Sequence, residues 1–237
     1  MALPGTEQLE ISRGESMREK VYNQIKYRIL TNQLRPGQQI VLDQLVKQMG
    51  VSHTPVREAL GQLEADGLVT IERYKNVQVT MITPEDVREE YQMRIILEGW
   101  AAAEAARRIS DQVLDRLEQE LDATRVEINA SRFDSFLEED ITLHDTIVSA
   151  IDNRLFFRVL QLISNQSTRI RSLVETTHPV EIMHKILDEH ADILAALRVH
   201  HPALAQEHMT SHLQNAMQRT LSALEQSSAR SHSSPPN

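Results

Sequence analysis

The sequence predicts a mainly α-helical chain of two domains. Up to residue 82, short helical patterns alternate with strand-like ones, whereas from Thr83 to about Leu224 apolar residues recur every three or four positions. A chain of 237 residues can form one small and one larger core. We therefore expect a small domain over 15–82 and an all-α antiparallel helical bundle over 83–225.

The two ends of the chain have little apolar content. We predict that segments 1–14 and 226–237 are disordered. The first dozen residues lack the basic start and apolar run of a signal peptide, and no apolar run is long enough to span a membrane. The chain has no Cys, which excludes disulfides and thiolate metal sites. We expect a cytoplasmic protein without a membrane partner.

The first domain contains a tight turn between two short helical patterns. Apolar residues at helical spacing run from Leu42 to Met49, and Gly50 follows as the residue best able to end that helix. Ser52 can cap the next helix with its side-chain oxygen, and Pro55 lies in the first turn, where a missing donor costs little. This pattern indicates a helix-turn-helix.

The second helix of this motif has an apolar and a polar face. Its inward stripe comprises Val56, Ala59, Leu60 and Leu63. His53, Thr54 and Arg57 then project outward near its start, where helix-turn-helix proteins contact base edges. After Gly67, alternating apolar residues on both sides of a polar tip at 73–76 predict a two-stranded wing. The domain is therefore predicted to be a winged helix that binds DNA.

These residues resemble the GntR family of bacterial transcription regulators. The segment from Val51 to Leu60 matches the family's Val-Ser-Arg-Thr-Pro-Val-Arg-Glu-Ala-Leu except at His53, where the family usually has Arg. The segment 34–37, Leu-Arg-Pro-Gly, matches the family's approach to the motif. Lys75 and Asn76 stand where the family's wing has Arg-Gly, and Asn best tolerates the positive φ that such a turn needs.

Charge is divided unevenly between the two domains. Residues 1–82 contain 10 Lys and Arg against 9 Asp and Glu, whereas the remainder contains 15 against 25. An acidic domain would be repelled by phosphates, so only the first domain can face DNA. Its basic patch is modest, which favours a homodimer on a palindromic operator. We assign the DNA contacts to Arg35, Ser52, His53, Thr54, Arg57, Lys75 and Asn76.

Ionisable side chains lie on the apolar faces of three predicted helices in the second domain. Asp140 and His144 share one helix, His190 lies on a later one, and His212 is on the last. Burying these groups separately would be costly, so we expect them to converge on a divalent cation. One such His is more often a hydrogen-bonded core residue, but the four together favour a metal. Zinc is the first choice of metal, with nickel or manganese as alternatives. His208, four residues before His212, is a rival candidate for the ligand from the last helix.

Two further charged residues face inward on the helix predicted from about Pro84 to Arg108. Arg94 and Glu98 are four residues apart and can form an ion pair with each other. Alternatively, Arg94 binds a carboxylate of a small organic acid whose other oxygen reaches the metal. Ser167, on another apolar face, is a further candidate contact for that effector. Both interpretations of Arg94 remain open at this point.

The spacing Asp-x-x-x-His followed by a His on each of two later helices resembles the FCD effector domain of the FadR subgroup of GntR regulators. Asp140, His144, His190 and His212 match its metal ligands, and six predicted helices resemble the VanR-type branch. The resemblance implies a metabolite-responsive regulator, of the repressor type, whose effector alters operator affinity. A metal-dependent hydrolase is the alternative. It is disfavoured because no inward general base is evident apart from Glu98.

Overall fold

The computed structural model describes residues 16–72, 76–175 and 179–232. The chain divides between Met81 and Ile82 into two compact units, each with its own apolar core. The predicted combination of a small winged unit and a helical unit is confirmed. None of the helices in the described ranges combines the length and apolar composition that a membrane span needs.

The first unit combines three helices with a small antiparallel sheet. Its elements are α1 (Met17–Leu30), β1 (Gln39–Ile40), α2 (Leu42–Met49), α3 (His53–Ala65), β2 (Val69–Glu72) and β3 (Asn76–Val79). The sheet order is β1-β3-β2, so the predicted hairpin of β2 and β3 gains a third strand. That strand has only two residues, too few for sequence alternation to reveal it. Helix α1 packs on α3 through the buried Val21, Ile25 and Ile29.

The turn between α2 and α3 has the predicted form. Gly50 ends α2 with φ 65° and ψ 30°, the left-handed conformation in which glycine avoids a Cβ clash. Ser52 is the residue that precedes α3, but its side chain makes no capping hydrogen bond. The predicted inward stripe of α3 is fully buried. The helix is therefore fixed by its apolar contacts rather than by a side-chain cap.

The wing differs from the prediction at Asn76. This residue begins β3, pairs with Glu72 of β2, and is not among the residues with positive φ. The expectation of a left-handed turn at Asn76 is therefore wrong, because the strand pairing extends to this position. The tip at 73–75, which includes Lys75, lies outside the described residues.

The second unit comprises six helices in its described part, as predicted. They are α4 (Pro84–Ala105), α5 (Asp111–Asn129), α6 (Asp134–Ser149), α7 (Arg154–Glu175), α8 (Val180–Arg198) and α9 (Pro202–His232). Helix α4 begins with a capping box in which Thr83 and Asp86 exchange hydrogen bonds. It then runs along α9 at close range, since an added Cβ at Gly99 would lie 3.0 Å from Thr210 Oγ1.

Helix α9 is longer than the sequence predicts. It continues to His232, whereas apolar periodicity fades near Leu224 and we expected a disordered segment from residue 226. The added turns contain neither Gly nor Pro, so nothing in their composition ends a helix that has already formed. The last five residues of the chain lie outside the described part.

Candidate metal centre and nucleic-acid interface

Four buried side chains converge in the second unit. Asp140 and His144 lie one turn apart on α6, His190 on α8 and His212 on α9. Each offers one ligand atom, and these four atoms all lie within 4.8 Å of one another. These are the four residues predicted as metal ligands. His208, the rival on α9, is not part of the cluster.

The Nε2 atoms of the three histidines point toward a common centre. His144 Nε2 lies 3.2 Å from His212 Nε2. The Asp140 Oδ1 atom is 3.7 Å from His144 Nε2 and 3.5 Å from His190 Nε2. Within the described part of the chain, His190 Nε2 has no hydrogen-bond partner although it is buried. A buried ring nitrogen without a partner is costly unless something at the centre binds it.

The outward nitrogen of each histidine contacts a different glutamate. Nδ1 of His144 bonds with Glu98. His190 Nδ1 lies 3.0 Å from a Glu139 oxygen, and His212 Nδ1 lies 2.8 Å from a Glu189 oxygen. An ionised carboxylate only accepts hydrogen bonds, so each Nδ1 carries the hydrogen and donates. In the neutral form of each ring, the Nε2 lone pair then faces the centre beside Asp140. Carboxylates orient metal-binding histidines in this way.

The carboxylates around the cluster favour positive charge at its centre. Burial alone would lower the pKa of His190, but the carboxylates of Glu139 and Asp140 outweigh burial and raise the pKa to about 10. Burial lowers the pKa of His212 to about 3 despite its hydrogen bond to Glu189, and the neighbouring imidazoles add to this effect. Without a metal, a proton on His190 thus neutralises part of the negative charge of the surrounding carboxylates. A divalent cation bound by all four groups suits the same donors better.

Glu189 joins the cluster to α9 through several contacts. Burial would raise its pKa, but hydrogen bonds from Arg219 and His212 lower the pKa to about 2. Both Arg219 terminal nitrogens donate to Glu189, at 2.9 and 2.8 Å, and Asn215 Nδ2 donates at 2.9 Å. The carboxylate that orients His212 is therefore ionised and held in place.

Arg94 lies beside the cluster and is buried. Its Nε donates to Glu98 Oε1 at 2.6 Å, and Glu90 Oε1 lies 3.6 Å from the same nitrogen. Burial opposes its charge, but Glu98 and Glu90 outweigh burial and raise the pKa of Arg94. The guanidinium also lies 5.2 Å from the centre of the Tyr91 ring. Of the two interpretations, the ion pair with Glu98 is present. The side chain of Ser167, in α7, lies outside the described residues.

Two of the three carboxylates that contact the histidines are not evident from the sequence pattern. Glu139 and Glu189 each come directly before a predicted ligand, Asp140 and His190. A step of one residue turns a helical side chain by about 100°, so both glutamates fall off the apolar stripe and resemble surface charges. An acidic residue immediately before Asp140 and another immediately before His190 are the signal in the sequence, and only the helix packing shows what these residues contact.

Replacing Glu139 by Gln should weaken metal binding by about tenfold to 100-fold, because Gln cannot stabilise the His190 imidazole as a carboxylate does. The measurement is competition with a chelator of known affinity. Glu138 is exposed on the same helix, so Glu138→Gln is the matched control and should leave the metal affinity unchanged. Equal metal affinity in the Glu139→Gln variant and the wild type would contradict this role of Glu139.

The outward face of α3 carries the residues predicted to read DNA. His53, Thr54 and Arg57 are all exposed along the start of the helix, and Ser52 before them is exposed as well. His53 Nδ1 lies 3.8 Å from Asp43 Oδ1, a contact between exposed groups. No contact of Arg57 within the described residues holds its guanidinium away from solvent. These side chains are exposed, as contacts with base edges require.

The other predicted DNA contacts lie on loops and at the sheet. Arg35 is exposed, and its backbone N–H donates to Gln38 Oε1 at 3.0 Å. Asn76 is exposed at the start of β3, where its Oδ1 accepts from Gln39 Nε2 at 2.5 Å. The structure therefore gives Arg35 an unobstructed side chain and gives Asn76 a structural contact in the sheet.

A winged helix followed by a six-helix unit defines a class, the DNA-binding transcription regulators. Residues 17–79 match the model of the bacterial regulatory proteins of the gntR family, and residues 89–215 match the FCD domain. The chain belongs to the GntR family of transcription regulators and carries an FCD domain. Its relatives are DNA-binding regulators and not enzymes, so the hydrolase alternative has no support.

Individual relatives cover most of the chain. The HTH-type transcriptional regulator YdhC of Bacillus subtilis (strain 168) is 30% identical over 207 residues, 86% of this chain and 91% of that protein. The Gluconate operon transcriptional repressor of the same strain is 24% identical over 78% of this chain and 77% of its own length. A putative GntR regulator from Rhodococcus sp. RHA1 has the same fold, with 21% identity, a TM-score of 0.72, and coverage of 88% of this chain and 99% of its own.

Proposed function

We propose that the protein is a metabolite-responsive repressor whose FCD domain binds one divalent metal through Asp140, His144, His190 and His212. The observation that carries this proposal is the orientation of the three imidazoles. Each donates from Nδ1 to a glutamate, and each Nε2 faces the same centre as Asp140. Without a metal there, a single proton would have to serve three inward-facing ring nitrogens and a carboxylate in a buried space, which is unfavourable.

Zinc is our first choice of metal. Three imidazoles and one carboxylate without sulfur suit a borderline divalent ion, and nickel or manganese would accept the same donors. Four protein ligands leave room for a water or an effector oxygen on an ion that accepts five or six. The supporting glutamates make the imidazoles more basic, which strengthens their bonds to the metal. We expect this metal to serve as a binding centre for the effector.

The effector we propose is a small carboxylate that contacts the metal and Arg94. Arg94 is a buried cation beside the histidine cluster, joined to His144 through Glu98. A guanidinium is well suited to a carboxylate because it can donate two parallel hydrogen bonds. The relative that represses a gluconate operon is connected by its name with an organic acid, which agrees with this ligand class. We keep Ser167 as a further proposed contact.

Operator binding requires two copies of the winged unit. The described part of that unit places few cations near the start of α3, so one copy would bind DNA weakly. A homodimer on a palindromic operator combines two sets of contacts. The effector then changes the relative arrangement of the two α3 helices in the dimer, and with it the affinity for the operator. The effector site and the DNA-binding surface are thereby coupled.

The proposal is tested by measuring DNA binding and thermal stability together. Zinc-loaded and zinc-free protein would be screened by thermal shift against a panel of organic acids, and the acids that bind would be added to a DNA fragment selected in vitro for binding. We expect at least one acid to raise the melting temperature of the zinc-loaded form only and to change DNA affinity by about 5-fold to 150-fold. If no acid distinguishes the two forms, the effector proposal is wrong.

A further inference from the structure

Glu98 contacts both parts of the proposed site. One of its oxygens, Oε2, bonds with Nδ1 of His144, which is a proposed metal ligand. The same carboxylate accepts hydrogen bonds from Arg94, at 2.6 Å from Nε and at 3.4 Å from Nη2. All three side chains are buried. One carboxylate thus bridges the metal ligand and the guanidinium that is proposed to bind the effector.

Arg94 already has its charge neutralised in this arrangement. Glu98 occupies Nε and Nη2, which form one of the edges from which an arginine donates two parallel bonds. Glu90, one turn earlier on α4, lies 3.6 Å from Nε. None of the hydrogen bonds of the described residues uses Nη1 of Arg94. A ligand carboxylate must therefore begin at Nη1 and share or displace the bonds to Glu98.

We propose that Glu98 is an internal competitor of the effector, holding Arg94 until a ligand carboxylate takes over part of its hydrogen bonding. This inference rests on the proposed function. Exchanging one carboxylate for another at Arg94 contributes little binding free energy by itself. The net affinity of the effector therefore comes from its second contact, which is with the metal. The site thereby selects carboxylates that also donate an oxygen to the metal, and Glu98 sets the concentration at which they bind.

The test uses full-length protein loaded with Co²⁺, whose visible spectrum changes when a ligand joins the metal, and acetate as the probe. The variants are Glu98→Gln, Arg94→Gln and the double variant. We expect Glu98→Gln to strengthen acetate binding by about tenfold when Co²⁺ is saturating, because Arg94 loses its competing anion. Arg94→Gln should weaken acetate binding, and in the double variant the gain from Glu98→Gln should disappear. Only direct competition for Arg94 predicts this non-additivity.

Glu89→Gln is the matched control, because it removes the same charge from an exposed position of α4 and should leave acetate affinity unchanged. If Co²⁺-loaded Glu98→Gln binds acetate no more tightly than the wild type, Glu98 is not a competitor, although the metal site stands. Absence of Co²⁺ binding by the wild type would instead contradict the proposed function. Should Glu98→Gln not fold, the shorter Glu98→Asp, whose carboxylate reaches Arg94 less well, must still bind acetate more tightly than the wild type, or the inference fails.

Discussion

Replacing His190 by alanine is expected to abolish stoichiometric metal binding. His190 is fully buried, its Nε2 faces the centre of the cluster, and Glu139 fixes its orientation. Removing a direct ligand should cost more than removing a supporting carboxylate, so we expect the metal affinity to fall by more than about 100-fold. The measurement is the metal content of protein dialysed against a weak chelator, together with the melting temperature with and without zinc. The wild type should retain one ion per chain and gain stability from it.

The matched control for this experiment is His208→Ala. His208 lies on α9 one turn before His212, is only partly buried, and takes no part in the cluster. Its loss should leave both the metal content and the zinc-dependent gain in stability unchanged. If His190→Ala retains one ion per chain with the affinity of the wild type, the assignment of four ligands is wrong.

Replacing Arg57 by alanine is expected to weaken binding to the specific DNA site by about 1–3 kcal/mol for each half-site, with a smaller loss on random DNA. Arg57 is exposed on the outward face of α3, in the first turns of the helix that enters the major groove in this class. His53 occupies the neighbouring position where the family pattern has Arg, so specificity depends more on Arg57 and Thr54. The measurement is the dissociation constant on both DNAs at one fixed salt concentration.

Arg35→Ala provides the comparison for Arg57. Arg35 is exposed on the loop before β1, outside the helix that carries Arg57, and we assign it to phosphate. Its loss should weaken binding to specific and random DNA by the same factor and should reduce the salt dependence. Equal losses on both DNAs for Arg57→Ala would show that Arg57 contacts only phosphate.

The sequence was sufficient to predict the helices of the second unit and the four residues that form the buried cluster. The stripe of α3 and the four residues of the cluster follow from helical periodicity, which reports which side of a helix is buried. Periodicity does not report which ring nitrogen faces the centre or which residue of another helix it meets. The carboxylates Glu139 and Glu189 therefore emerged only from the packing of α6, α8 and α9.

Three local differences have similar causes. Strand β1 is too short to alternate, Asn76 is governed by its pairing with Glu72, and α9 continues past its last apolar residue because nothing stops it. In each case a contact or the cooperativity of an existing helix overrides the local pattern. The sequence left two interpretations of Arg94 open for the same reason, because a local pattern does not show whether Glu98 or a ligand accepts the hydrogen bonds of its guanidinium.

The location of the metal tests the account most directly. Crystals of the wild-type protein grown with zinc would be measured on both sides of the zinc absorption edge. We predict one strong anomalous peak per chain, bonded to Asp140 and to Nε2 of His144, His190 and His212, with the Nδ1 atoms still donating to Glu98, Glu139 and Glu189. The proposed metal site would be contradicted if the protein retained no zinc and the cluster showed no anomalous peak. A peak bound by other residues would contradict it as well.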